Sequence, residues 1–277
     1  MSGQLFWKYP TSSKIQSSPT VVNGTLFVGS TDGTVYALEA ETGRERWQFT
    51  TDDTVVSSPT VVDKTVFVGS DDGNVYALNA ASGERQWHFE TGESVQSSPT
   101  VADQTVFVKS NDGIVYALNA TSGESQWRYK TTGSSPQSPV VVDGTLYIGT
   151  GTTGSSHSTG SVTALDISTG QVQWRFEPFE FPCGHSSLTV SNYTLFVGTW
   201  ILHADKSKQG YVHALEPDTG DERWRVGLNG WVESTTVPTV AKNTLFTVTY
   251  SEKLHAIDIS TGKNGMLTAC QDSNLPQ

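Results

Sequence analysis

The chain predicts an all-β fold, a six-bladed β-propeller of four-stranded antiparallel blades, and three observations carry that prediction. Ser17-Ser18-Pro19-Thr20-Val21-Val22 returns as Ser57 to Val62 and again as Ser97 to Ala102. A Ser/Thr-Gly pair followed four positions later by Trp occurs five times, ending at Trp47, Trp87, Trp127, Trp174 and Trp224. With Trp7 included, successive spacings are 40, 40, 40, 47 and 50 residues. Charged residues make up only 16% of the 277 residues, while Ser and Thr make up about a quarter. Such a composition disfavours helical bundles, which want Leu, Ala, Glu and Lys, and suits short strands with polar turns. A period near 40 with four strands per unit is the pattern of blades that bury their faces against one another.

Each repeat supplies its strands in a fixed order. The first strand spans roughly Ser18 to Val22, and Asn23-Gly24 turns into a second, Thr25 to Ser30. Asp32-Gly33 leads to a third, Thr34 to Glu39, and Thr42-Gly43 to a fourth, Arg44 to Thr50. Asn-Gly and Asp-Gly suit tight hairpins because Gly accepts positive φ without a Cβ clash. Six such sets begin near residues 16, 56, 96, 136, 185 and 235. The last has Met266 where a Trp is due, and the chain opens with an orphan fourth-strand pattern, Leu5-Phe6-Trp7-Lys8-Tyr9. The economical reading is that residues 4–9 complete the sixth blade and close the ring. The other reading is a fragment of a longer propeller. One domain over residues 4–267 and a disordered tail over 268–277 are expected.

The net charge of −11 repels phosphate backbones, so nucleic-acid binding is not expected. Cys183 and Cys270 do not make a disulfide framework. There is no run of 18 apolar residues and no visible signal peptide, so the chain as it stands reads as cytoplasmic, and as exported if it is a processed form. The sequons at Asn23, Asn119 and Asn192 matter only after export. A monomer is expected.

The unit Val-Tyr-Ala-Leu-Asn-Ala-x-Ser/Thr-Gly-x-x-x-Trp, preceded by Ser-Ser-Pro-Thr-Val, resembles the pyrroloquinoline-quinone (PQQ)-like β-propeller repeat over nearly all of residues 4–262. That family includes quinoprotein alcohol dehydrogenases and the propeller lipoprotein of the outer-membrane assembly machine. No Trp-Asp ends the strands, against WD40 repeats, and paired glycines at strand ends are missing, against kelch repeats. The resemblance implies that the repeat Trp residues pack blade on blade. It also implies PQQ and calcium as candidate cofactors. The dehydrogenases hold them with adjacent cysteines, acidic and amide ligands and an Asp base, usually on eight blades. This chain has no Cys-Cys pair, so no catalytic residue is carried over. The Asp71-Asp72-Gly73 and Asn111-Asp112-Gly113 segments lack the later carboxylate of a calcium loop and read as turns.

Departures from the repeat carry the functional expectation. Insertions occur at Thr150 to Gly160, Glu177 to His185, and Trp200 to Gly210. Connections between second and third strands, and from a fourth strand to the next blade, emerge at one end of an up-and-down blade. All three insertions therefore extend one face, joined by the segment with Asn229, Trp231 and Glu233. Loops on a rigid scaffold are where binding concentrates. Phe179, Glu180, Phe181, Cys183, His185, Trp200, Trp231 and Glu233 are the candidate ligand- or partner-binding residues. His157, His185, His203 and Asp205 are the candidate metal ligands, though none shows a His-x-x-x-His spacing. His213 and His255 stand in the third-strand slot of Tyr36, Tyr76 and Tyr116 and are expected to be packing residues. Three function classes result: a non-catalytic scaffold binding a protein, peptide or small ligand on the inserted face, which is preferred; a PQQ-dependent dehydrogenase on a reduced propeller; and a metal- or ligand-binding sensor domain.

Overall fold

The computed structural model describes residues 3–133, 137–151, 160–178, 183–202, 207–228, 238–249 and 253–265. Among them there is no helix, and the strands form six four-stranded antiparallel sheets, each ordered as in sequence. The first blade is Thr20–Val22, Thr25–Gly29, Thr34–Glu39 and Glu45–Thr50. The second is Thr60–Val62, Thr65–Gly69, Asn74–Asn79 and Arg85–Glu90, and the third Thr100–Ala102, Thr105–Lys109, Ile114–Asn119 and Ser125–Lys130. The fourth is Val140–Val142, Thr145–Thr150, Ser161–Asp166 and Val172–Phe176. The fifth is Cys183–Ser191, Thr194–Leu202, Lys208–Leu215 and Glu222–Leu228, and the sixth Thr239–Ala241, Thr244–Thr249, Lys253–Asp258 and Asn264–Gly265. These are the strands of a β-propeller. Contacts divide the chain into two compact units, Met1–Pro178 with blades one to four and Phe179–Gln277 with blades five and six.

Within the first unit the repeat becomes a repeated set of contacts. Phe27, Val35, Ala37 and Trp47 of blade one share a core with Val66, Val68, Tyr76 and Leu78 of blade two. The same slots join blades two and three. The indole of Trp47 donates to Ala80 O at 3.0 Å, Trp87 to Ala120 O at 3.0 Å, and Trp127 to Ile167 O at 2.8 Å. A second clasp joins first strands: the hydroxyls of Thr20, Thr60 and Thr100 donate to the carbonyls of Pro59, Pro99 and Pro139, each at 2.6 Å. In the second unit, Trp224 donates to Ile259 O at 3.0 Å and Thr189 to Pro238 O at 2.5 Å. These four Trp residues are thus structural, as expected: apolar rings packed between blades, buried or half-buried, with the one polar atom satisfied.

The fourth strand carries a bulge in blades one to five. Ala37 faces Trp47 while Leu38 faces Glu45, so Arg46 is the extra residue, and the same shift follows the Ala–Trp pair in the next four blades. The first hairpin turn needs positive φ at two positions. Asn23-Gly24 meets this with φ of 48° and 72°, and blades two, three and five place Lys64, Gln104 and Tyr193 there at 65°, 58° and 51°.

Residues 5–9 form no strand, yet Trp7 takes the blade-to-blade place on the first blade. Its indole donates to Ala40 O at 3.0 Å, and Tyr9 stacks edge-on against Tyr36 at 5.5 Å between centroids. Leu5 and Phe6 are exposed. On the sixth blade the fourth-strand position is held by Asn264–Gly265, with Gly265 facing Ala256 where the other blades place Trp.

Candidate functional site

The two kinds of connection expected to share one end do so in the first unit. The segment after the first blade's fourth strand binds the turn between its second and third strands, through Thr51 N to Gly33 O at 2.8 Å and Val55 N to Ser30 O at 3.0 Å. It also binds the next blade, through Asp52 N to Asp72 Oδ2 at 3.1 Å. The Asp72 carboxylate further accepts from Asn74 N at 2.8 Å and from the Tyr76 hydroxyl at 2.7 Å, and Asp112 serves Ile114 and Tyr116 in the same way. Both oxygens are engaged within the turn. Burial, followed by the hydrogen bond to Asp112, pushes the Tyr116 phenol up to about 12.

The fifth blade breaks this pattern by growing. Its first three strands run nine, nine and eight residues, against three, five and six in the first blade. The described ends of two of the sequence-expected insertions, residues 183–185, 200–202 and 208–210, therefore continue as sheet. Cys183 faces Ile201, Gly184 faces Trp200 and His185 faces Thr199; on the other side Trp200 faces Gly210 and Leu202 faces Lys208. The Trp-Ile-Leu run explains the difference: bulky apolar residues extend a ladder that pairs their backbone groups, which a loop leaves to solvent. Three of the candidate binding residues, Cys183, His185 and Trp200, thus share one antiparallel extension. Phe179, Glu180, Phe181, Trp231, Glu233, His157, His203 and Asp205 lie outside the described residues.

At the base of that extension sits a buried polar relay. His213 and Thr199 are fully buried. Glu222 Oε2 lies 2.7 Å from His213 Nδ1, so Nδ1 carries the hydrogen and Nε2 accepts from the Thr199 hydroxyl at 2.9 Å. Burial holds His213 below the usual imidazole value, against the pull of Glu222, while the hydrogen bond from His213 holds Glu222 below the usual carboxylate value. His213 fills the tyrosine slot, as expected, but does so as the centre of a three-strand hydrogen-bond chain.

Lys109 was not singled out by the sequence reading. It ends the third blade's second strand, where blades one, two and four have Gly29, Gly69 and Gly149, and its side chain is fully buried. In the first three blades the carbonyl at this position accepts from a serine hydroxyl: Gly29 from Ser17 at 2.8 Å, Gly69 from Ser57 at 2.8 Å, and Lys109 from Ser97 at 2.9 Å. In blade four that serine is Gln137, and Gly149 O accepts from Lys109 Nζ at 3.2 Å. Among the described residues no carboxylate lies within ion-pair distance of this amine, and burial alone lowers it to about 7. The signal was present in the sequence as paired departures: Gly to Lys at 109, Ser to Gln at 137, and Ser135 where Val55 and Val95 stand.

Among the described residues no group of three His, Cys, Asp or Glu is placed to hold a metal. Cys183 and Cys270 are far apart in the sequence, and Cys270 lies outside the described residues. No described helix is long and apolar enough to cross a membrane.

A family model described as outer membrane protein assembly factor BamB matches residues 1–94, 64–177 and 158–265. None of the curated proteins matches the chain in sequence. Among solved structures, the chain is similar to BamB from Moraxella catarrhalis at 21% identity and a TM-score of 0.56, covering 90% of this chain and 87% of that one. It is similar to a europium-containing methanol dehydrogenase at 14% identity and a TM-score of 0.66, covering 94% and 71%. The quinohemoprotein alcohol dehydrogenase ADHIIG from Pseudomonas putida HK5 gives 14% identity and 0.57, covering 93% and 66%. At these identities the structural likenesses speak for the fold.

Proposed function

Because the chain belongs to the family of outer membrane protein assembly factor BamB, a family of PQQ-like β-propellers, we propose that it is a non-catalytic binding scaffold. Its partner is a protein or peptide, taken by the extended fifth blade. The observation that carries this reading is the fifth-blade extension itself. Strands of nine, nine and eight residues exceed what the fold needs, since blades one to three are built without them. The extension presents Trp200, a residue type enriched at interfaces, on paired backbone that gives a peptide a rigid surface. The BamB resemblance supports a protein partner over a small molecule.

The test is selection from a displayed peptide library against the full chain. A companion variant has residues 201–209 replaced by a two-residue Asp-Gly turn. Peptides that bind the full chain are expected to lose at least about tenfold in affinity on the shortened chain, and a similar amount on Trp200→Ala. Binding that survives both changes but is lost on substitution in the first blade overturns the proposal.

A further inference from the structure

We infer that the outer edge of the third blade takes an acidic peptide as an added strand, with Arg128 and Lys130 receiving two of its carboxylates. This surface lies within the first unit and does not depend on the fifth-blade extension binding a partner.

The fourth strand of the third blade pairs only with its third strand, so Ser125–Lys130 is a sheet edge. Among the described residues it makes no further backbone-to-backbone hydrogen bond on its outer side. Such an edge presents a row of N–H and C=O groups that another chain can pair with. Past the bulge, Trp127 to Lys130 face Ala117 to Ile114 in unbroken register, so the outward row is regular as well.

Charge sets the third blade apart. On the first blade Glu45 accompanies Arg46, on the second Glu90 accompanies Arg85, and on the fourth Glu177 lies 3.7 Å from Arg175. The third blade's fourth strand exposes Gln126, Arg128 and Lys130 and carries no acid. Among the described residues no carboxylate lies within ion-pair distance of either cation. Cations on an edge also repel other edges, but a repelling charge needs no fixed position. Arg128 has one. Its guanidinium carbon lies 5.6 Å from the Phe89 ring centre and 5.3 Å from that of Tyr116, across the seam between blades two and three. Its Nε donates to Ser125 Oγ at 3.3 Å, and Lys130 Nζ donates to Asp112 O at 2.5 Å. Holding both cations in place before a ligand arrives lowers the ordering cost of binding.

Arg128 and Lys130 stand two residues apart and project to one side of the strand. The residues of an added strand that lie opposite them project to that same side, so Glu or Asp at alternate positions meets both. The residues between fall on the side of the half-buried Trp127 and Tyr129, which suits apolar side chains. The net charge of −11 opposes such a peptide elsewhere on the chain and confines it to this patch.

The experiment follows the fluorescence anisotropy of a fluorescein-labelled, alternating Glu-Val octapeptide mixed with the full chain at low salt. Binding is expected, weakening as salt rises, with the Lys-Val counterpart left free. The combined Arg128→Glu and Lys130→Glu variant is expected to lose at least about tenfold in affinity, since two attractions become repulsions. Lys64→Glu with Lys242→Glu makes the same change of net charge at exposed sites elsewhere and is expected to change little, as is Trp200→Ala, which reports on the fifth blade alone. A probe with alternate peptide nitrogens methylated cannot complete the ladder and is expected to bind at least about tenfold more weakly. Equal losses in the two charge-reversed variants overturn the inference, as does a methylated probe that binds as well as the plain one, or no binding of the Glu-Val probe. Phosphatidylglycerol vesicles or oligothymidylate retained through Arg128 and Lys130 in place of the peptide would overturn it too. Should the charge-reversed variant melt early, Arg128→Gln with Lys130→Gln decides in the same way.

Discussion

Trp47 lies directly over Gly83 of the following blade: a Cβ on Gly83 would sit 2.7 Å from the indole Cδ2. The glycine is also held at φ of +75°, so two separate requirements exclude every other residue there. Gly43, Gly123, Gly170 and Gly262 repeat the relationship under Trp7, Trp87, Trp127 and Trp224. At these five positions the Ser/Thr-Gly pair therefore serves the Trp that comes before it in the chain, not the residue four positions after it. Gly83→Ala is expected to cost roughly 3 kcal/mol, the left-handed penalty plus displacement of the ring. Gly144→Ala has the same sign of φ, at +76°, with nothing within 4 Å of its Cβ, and is expected to cost only about 1–2 kcal/mol. Chemical denaturation of the two variants checks the difference, and equal losses would show that the ring contact contributes nothing.

Trp87, at 9% exposure with its indole hydrogen bonded, is expected to lose about 3–5 kcal/mol on truncation to Ala. Trp200→Ala, on the extended part of the fifth blade, is expected to cost far less. Thermal unfolding of both variants decides, and comparable losses would place Trp200 in the core.

Deleting residues 1–10 removes Trp7 from above Gly43 and Tyr9 from beside Tyr36. The exposed flank of the first blade then loses the cover that blades two to four retain. A marked fall in melting temperature or aggregation is expected. An unchanged melting curve would overturn ring closure by residues 4–9.

Acid should weaken the second unit through His213 and Glu222. Burial keeps the folded-state value of His213 under 6.5, so below that pH the unfolded chain takes up a proton that the folded chain resists. Glu222 is also lowered from 4.5, so its contribution is present above that value and lost as pH falls through the folded one. Both act in the same direction. Stability measured by denaturant titration should decline from about pH 6.5 downward, and His213→Gln should flatten the upper part of that window. A variant with the unchanged pH dependence would remove His213 from the account.

Lys109 has the opposite window. Its amine is lowered from 10.5 to about 7, so between those values the unfolded chain holds a proton that the folded chain has released. Stability from this group rises with pH across that range. Lys109→Met removes the charge burial and is expected to raise stability at pH 7 by at least about 2 kcal/mol, with a flatter alkaline profile. A destabilised variant would show that the bond to Gly149 outweighs the burial of the amine.

The repeat, the four strands per blade, the turns and the structural Trp residues were all legible in the sequence. Each depends on local pattern: alternation along a strand, glycine where φ is positive, and recurrence at a fixed period. What Gly83 answers to was not legible, because its partner is Trp47 and the nearer Trp87 is the misleading neighbour. Nor was the clasp of Tyr76 by Asp72, which the local turn geometry sets, or the relay from Glu222 through His213 to Thr199, which joins residues on three paired strands. The fifth-blade insertions read as loops because apolar residues outside the repeat have no period to place them. Cross-strand register turns Cys183, His185 and Trp200 into neighbours on one extended sheet. Lys109 shows the division most plainly. The sequence states that it replaces a glycine, but only packing between blades removes it from water, and that removal lowers the amine from the ordinary lysine value to about 7.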